Sequence, residues 1–237
     1  MLKNKKIVCL ITARQGSKGI KNKNIKTIGG KPLILFPIKA SKKSKYVDEV
    51  FVSTDSKKYQ SIARKFGAKT PFLRPKNLSG DKVSSYSVIK HFLNYLKNNN
   101  LDFDILLLLE PTSPFTSSKD IDNSIKKLIK NYKKADSLVS ASKLDKFDRK
   151  SIFEIKNKLI VLKKNLNFLR RQDKKNEYFL DGSLYISKIS SFKKNKGFIS
   201  NKTITILFQK WKSLEIDDNE DLIIVKAISK YILKNNI

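Results

Sequence analysis

Short apolar runs alternate with amphipathic stretches along most of the chain, and this alternation predicts strands followed by helices. Near the amino end, the apolar run 6–13 precedes a polar loop and then an apolar helix over about residues 32–44. The same order recurs, predicting strands at 49–54, 69–73, 103–109 and 136–141 and helices at 57–66, 85–97 and 119–132. Strands that are apolar throughout and alternate with helices are typical of a mostly parallel sheet covered on both faces.

The alternation is interrupted after residue 141. Two short apolar runs, 152–155 and 159–162, predict a hairpin, and the residues up to 178 lack helical periodicity. We therefore expect residues 142–178 to form an arm that projects from the sheet. The first pattern then resumes, predicting strands at 183–186 and 203–208 and an amphipathic helix at 219–233. Residues 1–237 are thus predicted to form one α/β domain with three Rossmann-like layers and a single arm.

The charge of the chain is strongly positive, with 51 lysines and arginines against 21 acidic residues and a net charge of +30. Such a charge is common in nucleic-acid-binding proteins. Here, however, the excess is mostly lysine, is spread along the whole chain and forms no basic arm. An anionic small molecule attracted by the positive field is the better-supported partner, and we expect no nucleic-acid partner.

The cysteine and hydropathy patterns indicate a cytoplasmic protein. Cys9 is the only cysteine, which excludes an intrachain disulfide and a zinc site built on several cysteines. The longest apolar run, 105–109, is far shorter than a membrane span, and residues 1–6 are too charged for a signal peptide. We therefore expect a reducing compartment and no membrane partner.

The segment 12–24 combines glycines with cations directly after the first predicted strand. The carboxyl end of such a strand is where an open α/β sheet places its ligand crevice. The glycines allow the backbone to point N–H groups at an anion, while Arg14 and Lys18, with Lys23, supply positive charge. The segment predicts a polyphosphate site, although its spacing matches neither an ATPase P-loop nor a dinucleotide fingerprint.

Two acidic residues near the carboxyl end suggest a metal site. Glu215 and Asp217 lie two positions apart on a strand-like stretch, which would point both carboxylates to one face. Carboxylates beside a triphosphate are the oxygen ligands that Mg²⁺ prefers. An acidic helix start explains Asp218 and Glu220 but does not account for Glu215, which precedes the helix. We therefore predict that Asp217 and Glu215 bind Mg²⁺.

Taken together, several segments resemble the cytidylyltransferases that activate sialic acid and related nonulosonic acids. Segment 12–24 is similar to the nucleotide-binding signature of that family, and residues 74–85 are similar to its nucleotide-side loop. Further similar segments are VSTDS at 52–56, LLEPTSP at 108–114, DGSLYI at 181–186 and SLEID at 213–217. The resemblance covers essentially the whole chain, and it implies that the predicted arm mediates a homodimer.

The resemblance also implies roles for individual residues. The nucleotide CTP would be held by Arg14, Ser17, Lys18, Lys23, Asn24, Arg74 and Ser85. The sugar acid would be held by Glu110, Thr112, Asp181, Tyr185 and Phe198, with Lys150 and Arg171 contributed by the arm. Arg171 is a candidate for contacting the substrate carboxylate across the dimer interface, although it also fits a solvated cation in a charged arm.

Three positions differ from the family pattern. Glu110 stands where glutamine is usual, Asp181 where asparagine is usual, and Glu215 where aspartate is usual. An amide both donates and accepts hydrogen bonds, whereas an ionised carboxylate only accepts. Glu110 and Asp181 should therefore favour a sugar that offers hydroxyl or amide donors, which leaves legionaminic-type and other nonulosonates open beside N-acetylneuraminate.

The implied reaction joins CTP to a nine-carbon 2-keto sugar acid, giving the CMP-sugar and pyrophosphate. The catalytic residues would be Arg14 and Lys18, which stabilise charge on the departing pyrophosphate, and Asp217 and Glu215 through the metal. A related nucleotidyltransferase that uses another nucleotide or an eight-carbon acid is the nearer alternative. A non-catalytic nucleic-acid-binding protein is the more distant one.

Overall fold

A six-stranded sheet forms the centre of the molecule in the computed structural model, which describes residues 4–144, 153–156, 159–162 and 177–235. The strands in spatial order are Thr203–Leu207 (β10), Ser137–Lys143 (β6), Tyr178–Lys188 (β9), Ile105–Leu109 (β5), Ile7–Thr12 (β1) and Glu49–Ser53 (β4). Strand β1 runs parallel to β4 and β5, and β10 runs parallel to β6. Only β9 is antiparallel to its neighbours, β5 and β6, so the prediction of a mostly parallel sheet is confirmed.

Helices cover both faces of this sheet. They are Leu35–Lys43 (α1), Lys57–Lys65 (α2), Ser85–Asn98 (α3), Ser118–Lys130 (α4), Ile189–Asn195 (α5) and Asn219–Asn235 (α6). Ile7, Cys9 and Ile11 of β1 share a core with α1, α2 and α4. Val8 and Leu10 point the other way and pack with α3 and α5, as the alternation of side chains along a strand requires. Because both faces are covered, β1 is apolar up to its last residue, Thr12. The three-layer prediction is confirmed.

Serine caps define where two site-bearing helices begin. Ser84 accepts a hydrogen bond from the backbone N–H of Ser87 at the start of α3. Ser117 and Asp120 form a reciprocal capping box at the start of α4. These caps fix the points at which the chain leaves the sheet edge and enters each helix.

The strand predicted at 69–73 is reduced to a single bridge between Lys69 and Phe51. The side chains of Gln60 and Arg64 on α2 donate hydrogen bonds to the backbone carbonyls of the following residues, Thr70 among them. These bonds replace strand pairing, so the prediction of a strand there was wrong. The segment instead leads directly to Arg74 at the candidate site.

Several short elements complete the fold. A small hairpin joins Thr27–Ile28 (β2) to Lys31–Pro32 (β3) through Gly29 and Gly30, which both have positive φ. Short 3₁₀ turns lie at Lys23–Ile25, Lys76–Leu78 and Lys210–Ser213. Helix α6 packs on the hairpin side of the molecule, where Leu222 and Val225 share a core with Ile28. None of the helices in the described residues combines the length and apolarity needed to span a bilayer.

The segment predicted as an arm, 142–178, contains the predicted hairpin. Phe153–Lys156 (β7) pairs antiparallel with Leu159–Leu162 (β8). At its two ends, however, the segment belongs to the central sheet, since Ser142 pairs with Phe179 and Lys143 with Tyr178. Residues 145–152, 157–158 and 163–176 lie outside the described residues, and the dimerisation role of the arm stays a prediction.

Candidate active site

A cavity of about 370 Å³ opens at the carboxyl ends of β1 and β5. Its lining comes from four separate stretches of chain: the loop after β1, the residues around Arg74 and Ser85, the segment after β5, and the strand-like stretch before α6. Of the residues predicted from the sequence, it brings together Arg14, Ser17, Lys18, Lys23, Asn24, Arg74, Ser85, Glu110, Thr112, Glu215 and Asp217. This is the edge at which an open α/β sheet binds its ligands.

The glycine-containing loop after β1 packs closely against the segment that carries Asp217. A Cβ atom added at Gly19 would collide with the backbone carbonyl oxygen of Asp217, so only glycine allows the two backbones to approach this closely. The side-chain amide of Asn24 donates to the carbonyl oxygen of Arg14 at 2.9 Å, and the N–H of Gln15 donates to Asp55 at 2.8 Å. These bonds hold the loop in a turn that faces the cavity. Asn24 therefore supports the loop as well as lining the cavity.

Cations of this loop are already paired with carboxylates. The Arg14 guanidinium lies 2.5 Å from one carboxylate oxygen of Asp81, and the Lys18 ammonium lies 3.0 Å from the other. The Lys23 ammonium lies 3.0 Å from Asp217, with only 15% of its side chain exposed. The loop thus presents three positive groups to the cavity, each with an acidic partner at its rim.

Arg74 is buried in the cavity wall, with 4% of its surface exposed. Its backbone N–H donates to the carbonyl oxygen of Thr54 at 2.8 Å, but its Nε lacks a hydrogen-bond partner among the described residues. Burial lowers the pKa of the guanidinium, while Asp55 opposes that change. A buried donor without a partner is costly, so this group is suited to an acceptor on a bound ligand.

Three acidic groups, Glu110, Glu215 and Asp217, also line the cavity. Burial raises the pKa of Glu110 to about 7, and the negative charge of Glu215 adds to this effect. The pKa of Glu215 is itself raised by burial and by Asp217, while the hydroxyl of Thr112, which donates to Glu215 at 3.2 Å, partly offsets the rise. Gly182 lies below Glu215, and a Cβ there would come within 2.9 Å of its Oε2.

This donor set fits a hard divalent cation. Glu215 and Asp217 both offer carboxylate oxygens, and the charge of Asp217 helps to raise the pKa of Glu215, a cost that a bound cation would remove. In the described part of the chain, no group of three or more His, Cys, Asp or Glu side chains forms a metal cage. Two carboxylates that share a cation with phosphate oxygens match Mg²⁺ better than a site made wholly of protein ligands.

A second cavity, of about 290 Å³, adjoins the first and shares Ser85, Leu108 and Glu110 with it. Its walls are largely aromatic, formed by Tyr86, Tyr185, Phe192 and Phe198. The ring of Phe198 lies 5.3 Å from that of Tyr185 and 4.9 Å from that of Phe192. Tyr185 and Phe198 were predicted as sugar-contacting residues, and both line this cavity.

The aromatic cavity also contains residues that the sequence did not single out. Tyr86 and Phe192 lie in α3 and α5, where apolar side chains at helical spacing indicate ordinary packing. Lys196 ends α5 in a left-handed conformation with φ of 52° and lines the same cavity. The sequence around these residues does not distinguish them from ordinary core positions. Their place in a cavity depends on the fold, which brings the two helices to the carboxyl end of β5.

Asp181 does not line either cavity. Its buried carboxylate accepts hydrogen bonds from the hydroxyls of Ser140 and Ser142 and from the backbone N–H of Ser183. These bonds join β6 to β9 beside an irregularity in their register. The carboxylate thus has a structural function in the described residues, and its predicted contact with the sugar stays a prediction.

Two predicted residues, Lys150 and Arg171, lie outside the described residues. Their predicted roles therefore stay predictions. Two further acidic residues at the site, Asp55 and Asp81, lie in the motif segments 52–56 and 74–85 but were not assigned a function from the sequence. Their pairing with the cationic loop became visible only in the structure.

The fold and the cavity are those of a nucleotidyltransferase. In this class of α/β protein, cations and acidic residues share one cavity at the carboxyl edge of the sheet. The cytidylyltransferase family model matches residues 8–233. The chain belongs to the cytidylyltransferase family.

Individual relatives agree with this assignment. The chain is 34% identical over 226 residues to an N-acylneuraminate cytidylyltransferase of Escherichia coli O18:K1:H7, covering 91% of this chain and 50% of that protein. It is 30% identical to the post-translational flagellin modification protein B of Campylobacter coli, covering 94% of this chain and 95% of that protein. A pseudaminic acid cytidylyltransferase of Campylobacter jejuni is 29% identical, with 95% and 97% covered. The chain thus spans about half the length of the Escherichia coli relative and nearly all of the two Campylobacter ones.

Solved structures agree on the fold. A CMP:2-keto-3-deoxy-manno-octonic acid synthetase in complex with CTP superposes with a TM-score of 0.69 at 16% identity, covering 95% of this chain and 99% of that one. A cytidylyltransferase from Leptospira borgpetersenii superposes with a TM-score of 0.63 at 21% identity, covering 96% and 88%. The shared architecture is therefore that of known cytidylyltransferases.

Proposed function

We propose that this cytidylyltransferase activates a nonulosonic acid with CTP, giving the CMP-sugar and pyrophosphate. The observation that carries the proposal is the meeting, in one cavity, of a cationic loop near the amino end and an acidic pair near the carboxyl end. Relatives that are named for N-acylneuraminate and pseudaminic acid support the substrate class.

The cationic side of the cavity suits the nucleotide. Arg14, Ser17 and Lys18 would hold the triphosphate, because guanidinium and ammonium groups donate charge-assisted hydrogen bonds to phosphate oxygens. Arg74 and Ser85, one buried and one at the start of α3, would contact the base and sugar of CTP. Fixed cations beside the leaving phosphates would stabilise the negative charge that develops on pyrophosphate.

The acidic side of the cavity suits a metal-assisted transfer. Glu215 and Asp217 would hold Mg²⁺, and the bound ion would supply positive charge that neutralises the triphosphate and favours ionisation of the attacking C2 hydroxyl. Thr112 holds Glu215 in place through its hydroxyl. Lys23, which pairs with Asp217 in the structure, would exchange that partner for a phosphate oxygen when CTP binds.

The aromatic cavity suits the sugar acid. It adjoins the nucleotide cavity through Glu110, so an acceptor placed there could direct its hydroxyl at the α-phosphorus. Tyr185 and Phe198 offer apolar surface for acyl or deoxy groups, while the Glu110 carboxyl would hydrogen-bond sugar donors. An ionised Glu110 would repel the carboxylate of the substrate. That carboxylate would therefore bind nearer to Lys150 and Arg171, the cations that the arm is predicted to contribute.

A homodimer is part of the proposal. The side chains of Tyr178, Phe179 and Leu180, at the base of the predicted arm, are 42–53% exposed, and Leu207 is 54% exposed. Exposed apolar residues in a group are typical of an interaction surface. Analytical ultracentrifugation would test the dimer, and a monomer at micromolar concentration would contradict it.

Pyrophosphate release tests the reaction itself. CTP, UTP, GTP and ATP should be compared with several nonulosonic acids and an eight-carbon acid, and release is expected only with CTP and a nonulosonic acid. Replacing Asp217→Ala should remove most turnover and leave CTP binding measurable. Near-normal activity of that variant in magnesium would refute the metal role, and release only with another nucleotide would support the nearer alternative.

A further inference from the structure

Asp81 lies at the rim of the nucleotide cavity and bridges two of its cations. Its carboxylate oxygens are 2.5 Å from the Arg14 guanidinium and 3.0 Å from the Lys18 ammonium. These hydrogen bonds hold the pKa of the Asp81 carboxyl below its usual value. The Asp81 carboxylate is thus paired with Arg14 and Lys18, the same two cations that would bind the phosphates of CTP in the proposed function.

The geometry resembles that of a bound phosphate. A carboxylate and a phosphate both present anionic oxygens that accept charge-assisted hydrogen bonds from guanidinium and ammonium groups. Arg14 lines the cavity in this arrangement, with its side chain 33% exposed, while Lys18 is 81% exposed and would otherwise be free to adopt many rotamers. The bridge therefore keeps both cations together at the cavity without a ligand.

The loop that carries Asp81 lies at the surface, where Asp81, Lys82 and Ser84 are exposed. It joins the 3₁₀ turn Lys76–Leu78 to α3. Arg74 precedes the turn and Ser85 begins the helix, so the loop is anchored at both ends by residues of the nucleotide cavity. Because Asp81 is exposed, rotation of its side chain alone would separate its carboxylate from both cations.

We propose that Asp81 is a positioning residue that holds Arg14 and Lys18 in the absence of nucleotide and yields them to the β- and γ-phosphates of CTP. This inference rests on the proposed function, because it takes those cations as triphosphate ligands. After transfer, the returning carboxylate competes with pyrophosphate for the same cations and favours its release. Asp81 thus weakens the binding of nucleotide and product to the same extent.

Calorimetric titration with inorganic pyrophosphate tests this competition directly. In Asp81→Asn, which keeps the shape of the side chain but removes its charge, the dissociation constant of pyrophosphate is expected to fall about threefold to tenfold, the range that two exposed ion pairs account for. CTP should bind more tightly by a similar factor. CMP, which lacks the β- and γ-phosphates, should bind as it does to the unchanged protein.

Two variants separate competition from other effects of charge. Asp81→Glu should restore the weaker binding, because it returns a carboxylate to the two cations. Asp102→Asn removes the same charge from an exposed position before β5, at the opposite edge of the sheet, and should leave the pyrophosphate affinity within about twofold. If Asp102→Asn strengthens binding as much as Asp81→Asn does, net charge explains the effect and the inference fails.

Steady-state kinetics provides a second measurement. In Asp81→Asn, the KM for CTP and the inhibition constant of pyrophosphate should fall together, whereas a residue that merely supports the fold would lower kcat or raise KM. An unchanged or weaker pyrophosphate affinity in Asp81→Asn overturns the inference. If the protein shows no cytidylyl transfer to any sugar acid but Asp81→Asn still binds pyrophosphate more tightly, the proposed function fails and the role of Asp81 stands.

Discussion

The substitution Glu110→Gln should stabilise the protein at neutral and alkaline pH but not at acidic pH. Glu110 lies in the wall shared by the two cavities, and its pKa is raised from 4.5 to about 7 by burial and by the charge of Glu215. The amide of glutamine has nearly the same shape as a protonated carboxyl group. The variant therefore isolates the cost of ionising this half-buried group.

The sign of the effect follows from proton linkage. Well below pH 4.5, Glu110 is protonated in both the folded and the unfolded chain, so its titration contributes nothing to stability. As the pH rises towards 7, the unfolded chain ionises this group freely while the folded chain resists, and stability is lost. Above pH 7 the loss is complete and amounts to about 3 kcal/mol, the free energy of that pKa difference.

Urea unfolding at several pH values between 4 and 9 measures the prediction. The solutions should contain EDTA, because a divalent cation held by Glu215 and Asp217 would lower the cost of ionising Glu110. The gain in free energy of unfolding for Glu110→Gln should be near zero at pH 4 and rise to about 3 kcal/mol at pH 8. Glu220→Gln, at an exposed position in the first turn of α6, should change stability by no more than about 1 kcal/mol, in the destabilising direction.

A constant difference across the pH range would refute this reasoning. It would mean that Glu110 is ionised in the folded protein with an ordinary pKa, and that water or Lys23 compensates its charge. A pH-dependent gain accompanied by a loss of turnover would instead show that the same ionisable group that destabilises the fold contributes to substrate recognition.

Three further predictions test the loop, the sheet and the core. Gly19→Ala should abolish measurable CTP binding, because the added Cβ would collide with the carbonyl oxygen of Asp217. Gly16→Ala is the control and should bind CTP normally, because the space around its Cβ is open. Equal effects of the two variants would contradict the close approach of Gly19 to Asp217. Asp181→Ala should lower the free energy of unfolding by about 1–3 kcal/mol, since the Ser142 hydroxyl and the Ser183 N–H lose this acceptor and the Ser140 hydroxyl keeps only its 3.3 Å bond to the carbonyl of Leu184. A change in sugar KM with unchanged stability would contradict this structural role. Cys9, whose pKa burial raises to about 12, should react with a thiol reagent at pH 8 only after unfolding, and rapid modification of the native protein would show that the first strand opens.

The sequence predicted the parallel part of the fold because burial on both faces leaves a simple pattern. Strands β1 and β5 are almost wholly apolar, and helices with clear polar faces separate the strands. Strand β9 was harder to predict, since Asp181, Gly182 and Ser183 interrupt its hydrophobic residues. The structure explains that interruption: the carboxylate is satisfied by serines of β6, and the glycine adopts a φ of 71° beside Glu215. The predicted strand was therefore too short, and its antiparallel direction was not foreseen.

The candidate site was partly predictable because its chemistry is concentrated in short segments. The loop with Arg14 and Lys18 follows a strand, and general topology places such a loop at the ligand edge of a sheet. The same reasoning did not reveal the pairing of those cations with Asp81, because nothing in the spacing of these residues specifies the contact. It also did not reveal the aromatic cavity, because Tyr86 and Phe192 satisfy the same periodicity as the core residues beside them.

The charge within the cavity explains why a chain with a net charge of +30 need not bind a polymer. Arg14, Lys18, Lys23 and Arg74 face a compact volume that Glu110, Glu215 and Asp217 also line. A polymeric phosphate backbone needs cations spread along a surface, whereas these four cations share one cavity with three carboxylates, one of which is paired with Lys23. A nucleoside triphosphate that carries a divalent cation offers a partner to both kinds of group, with anionic oxygens for the cations and a metal ion for the acids. On the proposed function, the local arrangement of charge, and not its total, selects the partner.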